Sequence, residues 1–419
     1  MKMNKLTVAI LIAMLLGIVT GQGYRLFAPT QAATFASDIT LLTDIFLRLI
    51  KMIIAPLVFT TLVVGIAKMG DTRTVGRIGV KTLGWFMLAS LMSLTLGLVM
   101  VHLMQPGVGL SLSLPDDGAS SGVAATAISL KDFVTHAIPK SVIEAMATNE
   151  ILQIVVFSLF FGLAAAALGD AAKPVVKLMA SSAEIMLKVT GYVMNFAPFA
   201  VFGAIAAMVA KEGLGILATY GTFMAQFYLA LACLWLLLIA MGSLFIRRRI
   251  LTLLAMIREP ILLAFSTASS EAAYPKTLDR LEKFGCDKRI ASFVLPMGYS
   301  FNLDGSMMYC TFAVMFIAQA YGIELSTAQQ ITMLLLLMVT SKGMAGVPRA
   351  SLVVIAATLN QFHIPEAGIL LLLGIDHFLD MGRSATNVLG NAIAASVVAK
   401  SEDSLGETAP LGEVDTAKA

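Results

Sequence analysis

Polar side chains recur at helical spacing in an otherwise apolar segment near the end of the chain. The segment covers residues 374–400, and its polar positions are Asp376, Asp380, Arg383, Asn387 and Asn391, at i, i+4, i+7, i+11 and i+15. At about 100° per residue, these side chains stay on one narrow face of a helix. Two carboxylates, a guanidinium and two amides therefore point in the same direction.

Such a face predicts a binding site for a small charged molecule. An ionised side chain at the centre of a bilayer costs roughly 3 kcal/mol or more, so it normally faces a cavity or a partner. A structural ion pair between Asp376 and Arg383 would explain part of the pattern. Two acids and one base leave one acid unpaired, however, and the two amides extend the polar face further. A ligand that carries both signs of charge would complete it.

The composition indicates a polytopic membrane protein. Of the 419 residues, 58% are hydrophobic and 13% are charged, whereas soluble chains carry about 25% charged residues. The net charge of +3 is too small to suggest a nucleic-acid partner. The cysteines Cys233, Cys286 and Cys310 lack metal-ligand spacing, so we expect free thiols and no cofactor.

Hydropathy and charge predict the course of the chain through the membrane. Apolar segments of spanning length lie near residues 6–27, 40–68, 80–104, 150–169, 174–210 and 216–246. The first also fits a signal peptide, but with many spans following we interpret it as a retained transmembrane helix. Basic clusters place both termini in the cytoplasm, although the run Arg247–Arg249 could instead bind anionic lipid. Residues 401–419 are predicted to be a disordered tail.

Polar sequences interrupt the apolar segments in the last third of the chain. They are ASSEAAYP at 268–275, NLDGS at 302–306 and SKGMAGVPRAS at 341–351. Breaks in a helix free backbone N–H and C=O groups, which persist at membrane depth only where they line a cavity or hold an ion. Residues 251–289 and 327–361 are each predicted to form a re-entrant hairpin, from opposite sides of the membrane. Paired interruptions in two inverted halves indicate the substrate site of a transporter.

These motifs resemble those of the dicarboxylate/amino acid:cation symporters, also called the glutamate transporter family. The resemblance rests on ASSEAAYP, NLDGS (NMDGT in the family), AGVPRAS and DHFLDMGRSATNVLGN, and it covers nearly the whole chain. It implies an all-α fold of eight transmembrane helices and two re-entrant helical hairpins with inverted repeats. It further implies a homotrimer in the lipid bilayer of the cell (inner) membrane.

The resemblance also implies an elevator mechanism, in which a transport domain carries substrate and cations past a scaffold. The scaffold would comprise helices 1 and 2 at 1–68 and helices 4 and 5 at 150–210. The transport domain would comprise helix 3 at 80–104 and, at 216–400, helix 6, the first hairpin, helix 7, the second hairpin and helix 8.

The family pattern assigns roles to the polar face. Arg383 would bind the side-chain carboxylate of the substrate bidentately, Asp376 would orient Arg383, and Asp380 would receive the α-ammonium group. The remaining implied contacts are Asn387, Ser306 and Ser384, with Ser270 and Val347 at the hairpin tips. A C4-dicarboxylate such as succinate, fumarate or malate would leave Asp380 buried without a cation, which is costly. Aspartate and/or glutamate are therefore favoured, with a C4-dicarboxylate as the alternative.

Sodium sites are implied by the same resemblance. They comprise Gly298, Asn302, Asn387 and Asn391; Ser90, Asn302 and Asp304; and Ser300, Ser341 and Met344. Asn391 stands where the family has an acid, and Phe86 and Ala89 stand where it has hydroxyl residues. Because negative charge and oxygen ligands are lost, cation affinity should fall. Coupling to Na+, to H+ or to both remains open.

Two charged residues lie outside this familiar set. Glu271 and Arg349 belong to the tips of the first and second hairpins. Each could be a solvated loop charge. Alternatively, they pair when the tips close, and Glu271 accepts the coupled proton. Tyr299 and Tyr309, which bracket NLDGS, are expected to serve in packing.

Two other classes of protein make different demands on such a polar face. An intramembrane aspartyl protease needs carboxylates about 3 Å apart that share a proton. Asp376 and Asp380 lie one turn apart beside Arg383, which would hold both ionised, so we expect no enzyme. A channel would show voltage-driven flux without concentrating its substrate.

Overall fold

The computed structural model describes residues 5–69, 72–108, 138–214, 220–341, 350–373 and 375–408. Within these ranges the chain forms helices. The first seven are α1 (Lys5–Phe27), α2 (Ala32–Met69), α3 (Thr72–Met104), α4 (Val142–Ala147), α5 (Ile151–Leu168), α6 (Lys173–Met194) and α7 (Ala197–Glu212). The others are α8 (Gly221–Ile246), α9 (Arg249–Thr267), α10 (Tyr274–Phe284), α11 (Lys288–Phe301), α12 (Asp304–Ala320), α13 (Thr327–Thr340), α14 (Ala350–Gln361), α15 (Leu370–Leu373) and α16 (Asp376–Ser401).

Apolar helices make this a multi-pass membrane protein. Among the described residues, seven stretches are long and apolar enough to cross a membrane. They are Val8–Phe27, Ala32–Ala67, Arg73–Met104, Ile151–Met194, Gly221–Ile246, Arg249–Thr267 and Lys288–Ala320. The predicted count of eight spans and two re-entrant hairpins stays a prediction, since the membrane boundaries are not part of the structure.

Helix α16 occupies the interior of the protein. Every residue from 381 to 399 on this helix is buried. It packs against α8, α9, α11 and α12, which separate it from the surroundings. The single helix expected over residues 374–400 is confirmed, and its burial within protein explains how it carries a polar face through an apolar region.

The helices pack in two groups. Helix α1 packs on α7, and α2 packs on α5, α6 and α7. Helix α3 packs on α12 and α16, as a member of the second group. Helix α2 also packs on α11, so the two groups are in contact. The division into scaffold and transport domain stays a prediction.

The segment 174–210, predicted as one apolar stretch, is two helices. Helix α6 ends at Met194 and α7 begins at Ala197, with a proline in its first turn. Pro198 lacks the backbone N–H that an earlier helix would need, whereas in a first turn that group has no helical partner in any case. Proline therefore fits the start of α7 and not the middle of a longer helix.

Residues of the first predicted hairpin form α9 and α10, which pack against each other; their re-entry into the membrane stays a prediction. Helix α9 ends at Thr267, its C-cap Ala268 is left-handed at φ 48°, and a 3₁₀ turn over Glu271–Ala273 leads into α10. Buried Glu259 of α9 lies 3.2 Å from Nζ of Lys276 and 2.5 Å from Nη2 of Arg280, both on α10. This ion cluster connects the two arms of the hairpin.

The NLDGS interruption is shorter than expected. Only Asn302 and Leu303 lie between α11 and α12, and Asp304, Gly305 and Ser306 form the first turn of α12. An acid is favourable in a first turn because unpaired N–H groups give that end a partial positive charge. The break therefore separates two nearly continuous helices.

The second predicted hairpin is described only in part. Helices α13 and α14 pack against each other, and Ser326 begins α13 with a capping box to Gln329. Residues 342–349 lie outside the described ranges, so Met344, Val347 and Arg349 keep their roles as predictions.

The polar tail differs from the prediction at residues 401–408. Ser401 ends α16, and the next residue, Glu402, pairs with Nη2 of Arg77 at 2.7 Å and Nζ of Lys81 at 2.6 Å. The Gly406 N–H then donates to Gly285 O at 2.8 Å. Polar composition alone predicts disorder, but here the backbone pairs with the turn between α10 and α11. Residues 409–419 lie outside the described ranges.

Candidate functional site

Three ionised side chains meet on α16. Arg383 lies 3.3 Å from Asp376 and 3.0 Å from Asp380, measured from Nη2 to an Oδ1 in each case. The side chains of Arg383 and Asp376 are 1% and 2% exposed, whereas that of Asp380 is 29% exposed. Asp376 is therefore buried, whereas Asp380 is partly exposed.

The expectation that one acid is left unpaired is wrong, because both carboxylates contact the same guanidinium nitrogen. Two negative charges and one positive charge leave the cluster with a net charge of −1. Among the described residues, Nε and Nη1 of Arg383 have no hydrogen-bond partner. Buried N–H donors normally find partners, so these atoms mark a place for an acceptor.

Tyr309 of α12 is a site residue that the sequence did not identify. Its ring centroid lies 4.1 Å from Cζ of Arg383, and its hydroxyl donates to Oδ1 of Asp376 at 3.2 Å. A cation over an aromatic face is stabilised by about 0.5–2 kcal/mol, depending on its burial. The face of the Tyr309 ring thus packs against the guanidinium. No spacing in the sequence indicates this contact.

Asn387 connects α16 to the start of α12. Its Oδ1 accepts hydrogen bonds from the N–H groups of Gly305 at 2.9 Å and Ser306 at 3.4 Å. Its Nδ2 donates to Oγ of Ser306 at 3.2 Å. The amide therefore serves as a cap for α12 and brings Ser306 to the polar face. Ser384 on α16 is also buried.

A second polar cluster lies further along α16. Nδ2 of Asn302 donates to Asp304 at 3.0 Å and to Oδ1 of Asn391 at 3.1 Å. Ser93 on α3 donates to Oδ1 of Asp304 at 3.2 Å. Oδ1 of Asn302 has no hydrogen-bond partner among the described residues. These groups gather oxygen atoms in a fully buried place, as a hard cation requires.

Close approach of three helices creates this second cluster. A Cβ atom at Gly390 would collide with the Asp304 carboxylate, and one at Gly298 would collide with the Asn391 amide. The helices can therefore approach here only because both positions are glycine. Gly298 thus lies against Asn391, and the role of both in cation binding stays a prediction.

The prediction named Ser90 on α3 and missed its neighbour Ser93. Buried Ser90 donates to Phe86 O of its own helix at 2.6 Å. Ser93, one turn later, has its hydroxyl within hydrogen-bond distance of Asp304. The signal was available, because Ser90 and Ser93 are at i and i+3 and share a helix face.

The other predicted residues lie on the hairpins and on α11, or outside the described ranges. Ser300 and Ser341 are buried, and Ser341 donates to Met338 O at 3.4 Å. Ser270 lies at the tip of the first hairpin, next to Glu271. Glu271 lines a small cavity with Ile54 and Val58 of α2. Its predicted partner Arg349 is outside the described ranges.

Known proteins resemble the chain along most of its length. The sequence profile of the sodium:dicarboxylate symporter family matches residues 6–401. The chain belongs to this family. The resemblance predicted from the motifs is thereby confirmed.

Relatives of this symporter-family member carry names of more than one kind. It is 41% identical to a proton/sodium-glutamate symport protein of Bacillus caldotenax, over 95% of this chain and 94% of the relative. It is 40% identical to a C4-dicarboxylate transport protein of Laribacter hongkongensis, over 94% of this chain and 89% of the relative. A proton/glutamate-aspartate symporter of Bacillus subtilis is 39% identical over 94% of each chain.

The geometry in this family member suits reversible binding of a charged molecule. Nε and Nη1 of Arg383 offer N–H donors on two different edges of the guanidinium, so a bidentate carboxylate would share Nη2 with the aspartates. Asp380, three residues before Arg383 on α16, is partly exposed and offers its carboxylate to a cation. The two groups match opposite ends of a small zwitterion.

Proposed function

We propose that the protein is a secondary active symporter that takes up acidic amino acids, aspartate and/or glutamate, together with Na+ and/or H+. The observation that carries the proposal is the state of Arg383. Its Nε and Nη1 have no partner among the described residues, while its Nη2 contacts the partly exposed acid Asp380.

Charge balance favours an amino acid. An acidic amino acid brings two carboxylates and one ammonium, so the cluster, whose own net charge is −1, would carry −2 with substrate and Asp380 would gain a cation. A C4-dicarboxylate brings two negative charges and no cation, so the same cluster would carry −3. Burying such uncompensated charge costs several kcal/mol, because solvation is lost without an opposite charge in return.

The relatives do not decide between the two substrates. A glutamate symport protein and a C4-dicarboxylate transport protein are 41% and 40% identical to this chain. The alternative, a C4-dicarboxylate:cation symporter, therefore stays in the test. The deciding experiment is uptake of radiolabelled aspartate into proteoliposomes, with unlabelled glutamate or succinate as competitor. We expect glutamate to compete strongly and succinate weakly; the reverse order would support the alternative.

Coupled cations would use the second cluster. Asp304, Asn302 and Ser93 supply oxygen atoms there, and the amide of Asn391 completes the set. Only one of these groups is an acid, which suits a weakly held monovalent cation. The test is aspartate uptake driven by a sodium gradient or by a proton gradient, each imposed alone. Concentrative uptake under one gradient identifies the coupling ion, whereas equilibration alone under both would indicate a channel.

The family membership and the two groups of helices also support an elevator mechanism. We propose that α1, α2 and α5 to α7 form the scaffold and that α3 with α8 to α16 forms the transport domain. We further propose a homotrimer in the inner membrane with both termini in the cytoplasm. Chemical cross-linking in native membranes tests the trimer, and a band no larger than a dimer would contradict it.

A further inference from the structure

Tyr228 joins helix α8 to the first turn of α16. The hydroxyl of Tyr228 donates to Phe378 O at 2.6 Å. Phe378 lies between Asp376 and Asp380 on α16. This hydrogen bond therefore joins α8 to the turn that carries both acids.

The start of α16 has no side-chain cap of its own. Ile375 occupies the N-cap position, and its apolar side chain makes no cap hydrogen bond. First turns without a cap are held less firmly because their N–H groups lack helical partners. The orientation of this turn consequently depends on what packs against it.

The ring of Tyr228 also packs against the next turn of α16, at Gly382. A Cβ atom at Gly382 would lie 2.6 Å from Cδ1 of Leu231 and 3.0 Å from Cε1 of Tyr228. The two helices can therefore meet this closely only because residue 382 is glycine. One turn further, Nε1 of Trp235 donates to Oγ1 of Thr386 at 2.8 Å.

These contacts lie on the side of α16 opposite the acid that would bind the amine. The Tyr228 contacts are at Phe378 and Gly382, each two residues and about 200° round the helix from Asp380, so they act on Asp380 through the backbone. Asp376 is held by Tyr309, and Asp380, which is 29% exposed, pairs with Nη2 of Arg383 at 3.0 Å. The position of the Asp380 carboxylate therefore depends on that ion pair and on the backbone of this turn.

We propose that Tyr228 is a positioning residue, whose hydroxyl fixes the first turn of α16 so that Asp380 can receive the ammonium group of the substrate. This inference rests on the proposed function and deepens it. Tyr228 acts through Asp380 and does not itself touch the substrate. Its loss should weaken the recognition of the amine more than the recognition of the carboxylates.

Tyr228→Phe tests this role because it removes the hydroxyl and keeps the ring on Gly382. The KM for aspartate should rise roughly threefold to tenfold, as expected for the loss of one hydrogen bond. The inhibition constant for succinate, which lacks the amine, should change less than twofold. A purely structural role would shift both constants by the same factor, and that result would overturn the proposal.

Two further variants make the test decisive. Gly382→Ala displaces the Tyr228 ring and should shift the ratio of the two constants in the same direction. Trp235→Phe, the matched control, removes the other α8–α16 hydrogen bond and should leave the ratio unchanged. If Tyr228→Phe does not fold, Gly382→Ala supplies the answer, and an unchanged ratio there contradicts the inference. Failure of the proposed function appears separately, as a wild-type protein that does not take up aspartate.

Discussion

Nη2 of Arg383 and Oδ1 of Asp380 lie 3.0 Å apart on α16, so the two proposed substrate contacts are also partners of each other. A zwitterion that binds both would replace one ion pair with two. The guanidinium can accept this exchange because its Nε and Nη1 atoms have no partner among the described residues. Substrate affinity should therefore depend on both residues together.

Replacing Arg383 with glutamine should lower aspartate affinity about 100-fold or more, because the variant leaves buried carboxylates without their cation. Neutral amino acids should become better competitors, since they need no cation for a second carboxylate. Competition against radiolabelled aspartate or serine in proteoliposomes measures both effects. Arg248→Gln, at an exposed residue, is the control. Unchanged aspartate affinity in Arg383→Gln would refute the assigned role.

Asn391→Asp should strengthen cation binding at the second cluster. The carboxylate can still accept the hydrogen bond that Asn302 donates to Oδ1 of Asn391 at 3.1 Å, and it adds one negative charge. If sodium is the coupling ion, its concentration for half-maximal uptake should fall about tenfold. The aspartate KM at saturating sodium should hardly change. A sodium requirement that rises in the variant would place the cation elsewhere.

Glu271→Gln tests the proton-acceptor hypothesis. Glu271 lies in the tip of the first hairpin beside a cavity that α2 also lines, so it could exchange a proton as the tip moves. If it carries the coupled proton, uptake by the variant should lose most of its dependence on pH. Glu324→Gln, on the surface, should keep the wild-type profile. A wild-type profile in Glu271→Gln would end the hypothesis.

Glu402 should make stability depend on pH. Hydrogen bonds and charge interactions with Arg77 and Lys81 lower the pKa of the Glu402 carboxyl below its ordinary value. Because the folded-state pKa is lowered, the stabilisation is fully present above the unfolded pKa of about 4.3 and is lost as pH falls through the folded value. Arg77 and Lys81 are 53% and 37% exposed, so solvent screening keeps the effect small.

Glu402→Gln should accordingly lower the apparent melting temperature in detergent by about 1–3 °C at pH 7. The difference from the wild type should shrink as the pH is lowered toward 4. Asp403→Asn, the neighbouring exposed acid, is the matched control. An equal effect of both variants, or a Glu402→Gln effect that grows at low pH, would contradict the assignment.

Sequence patterns predicted the parts of the site that lie on one helix. Helical spacing alone placed Asp376, Asp380, Arg383, Asn387 and Asn391 on a shared face, because that relation depends only on the geometry of α16. The motifs also predicted the breaks near residues 268–275 and 302–306. They did so because glycine, proline and short polar residues interrupt helices for local reasons.

Contacts between helices could not be read in the same way. Tyr309 lies beneath Arg383 because α12 packs on α16, and Ser93 meets Asp304 because α3 packs on α12. Each pairing joins residues more than 70 positions apart, so no local pattern encodes it. The ordered residues 402–408 were missed for a related reason, since their partners lie on α3 and in the turn after α10.

The ion cluster between α9 and α10 has a mechanical consequence. Glu259 is only 3% exposed, and its carboxylate has Lys276 and Arg280 as neighbours on the opposite arm. Separating α9 from α10 would leave the buried Glu259 carboxylate without a cation, at a cost of about 3–5 kcal/mol. The two arms of the hairpin should therefore move together as a rigid body. Any bending during a transport cycle should be confined to the tip at residues 268–273.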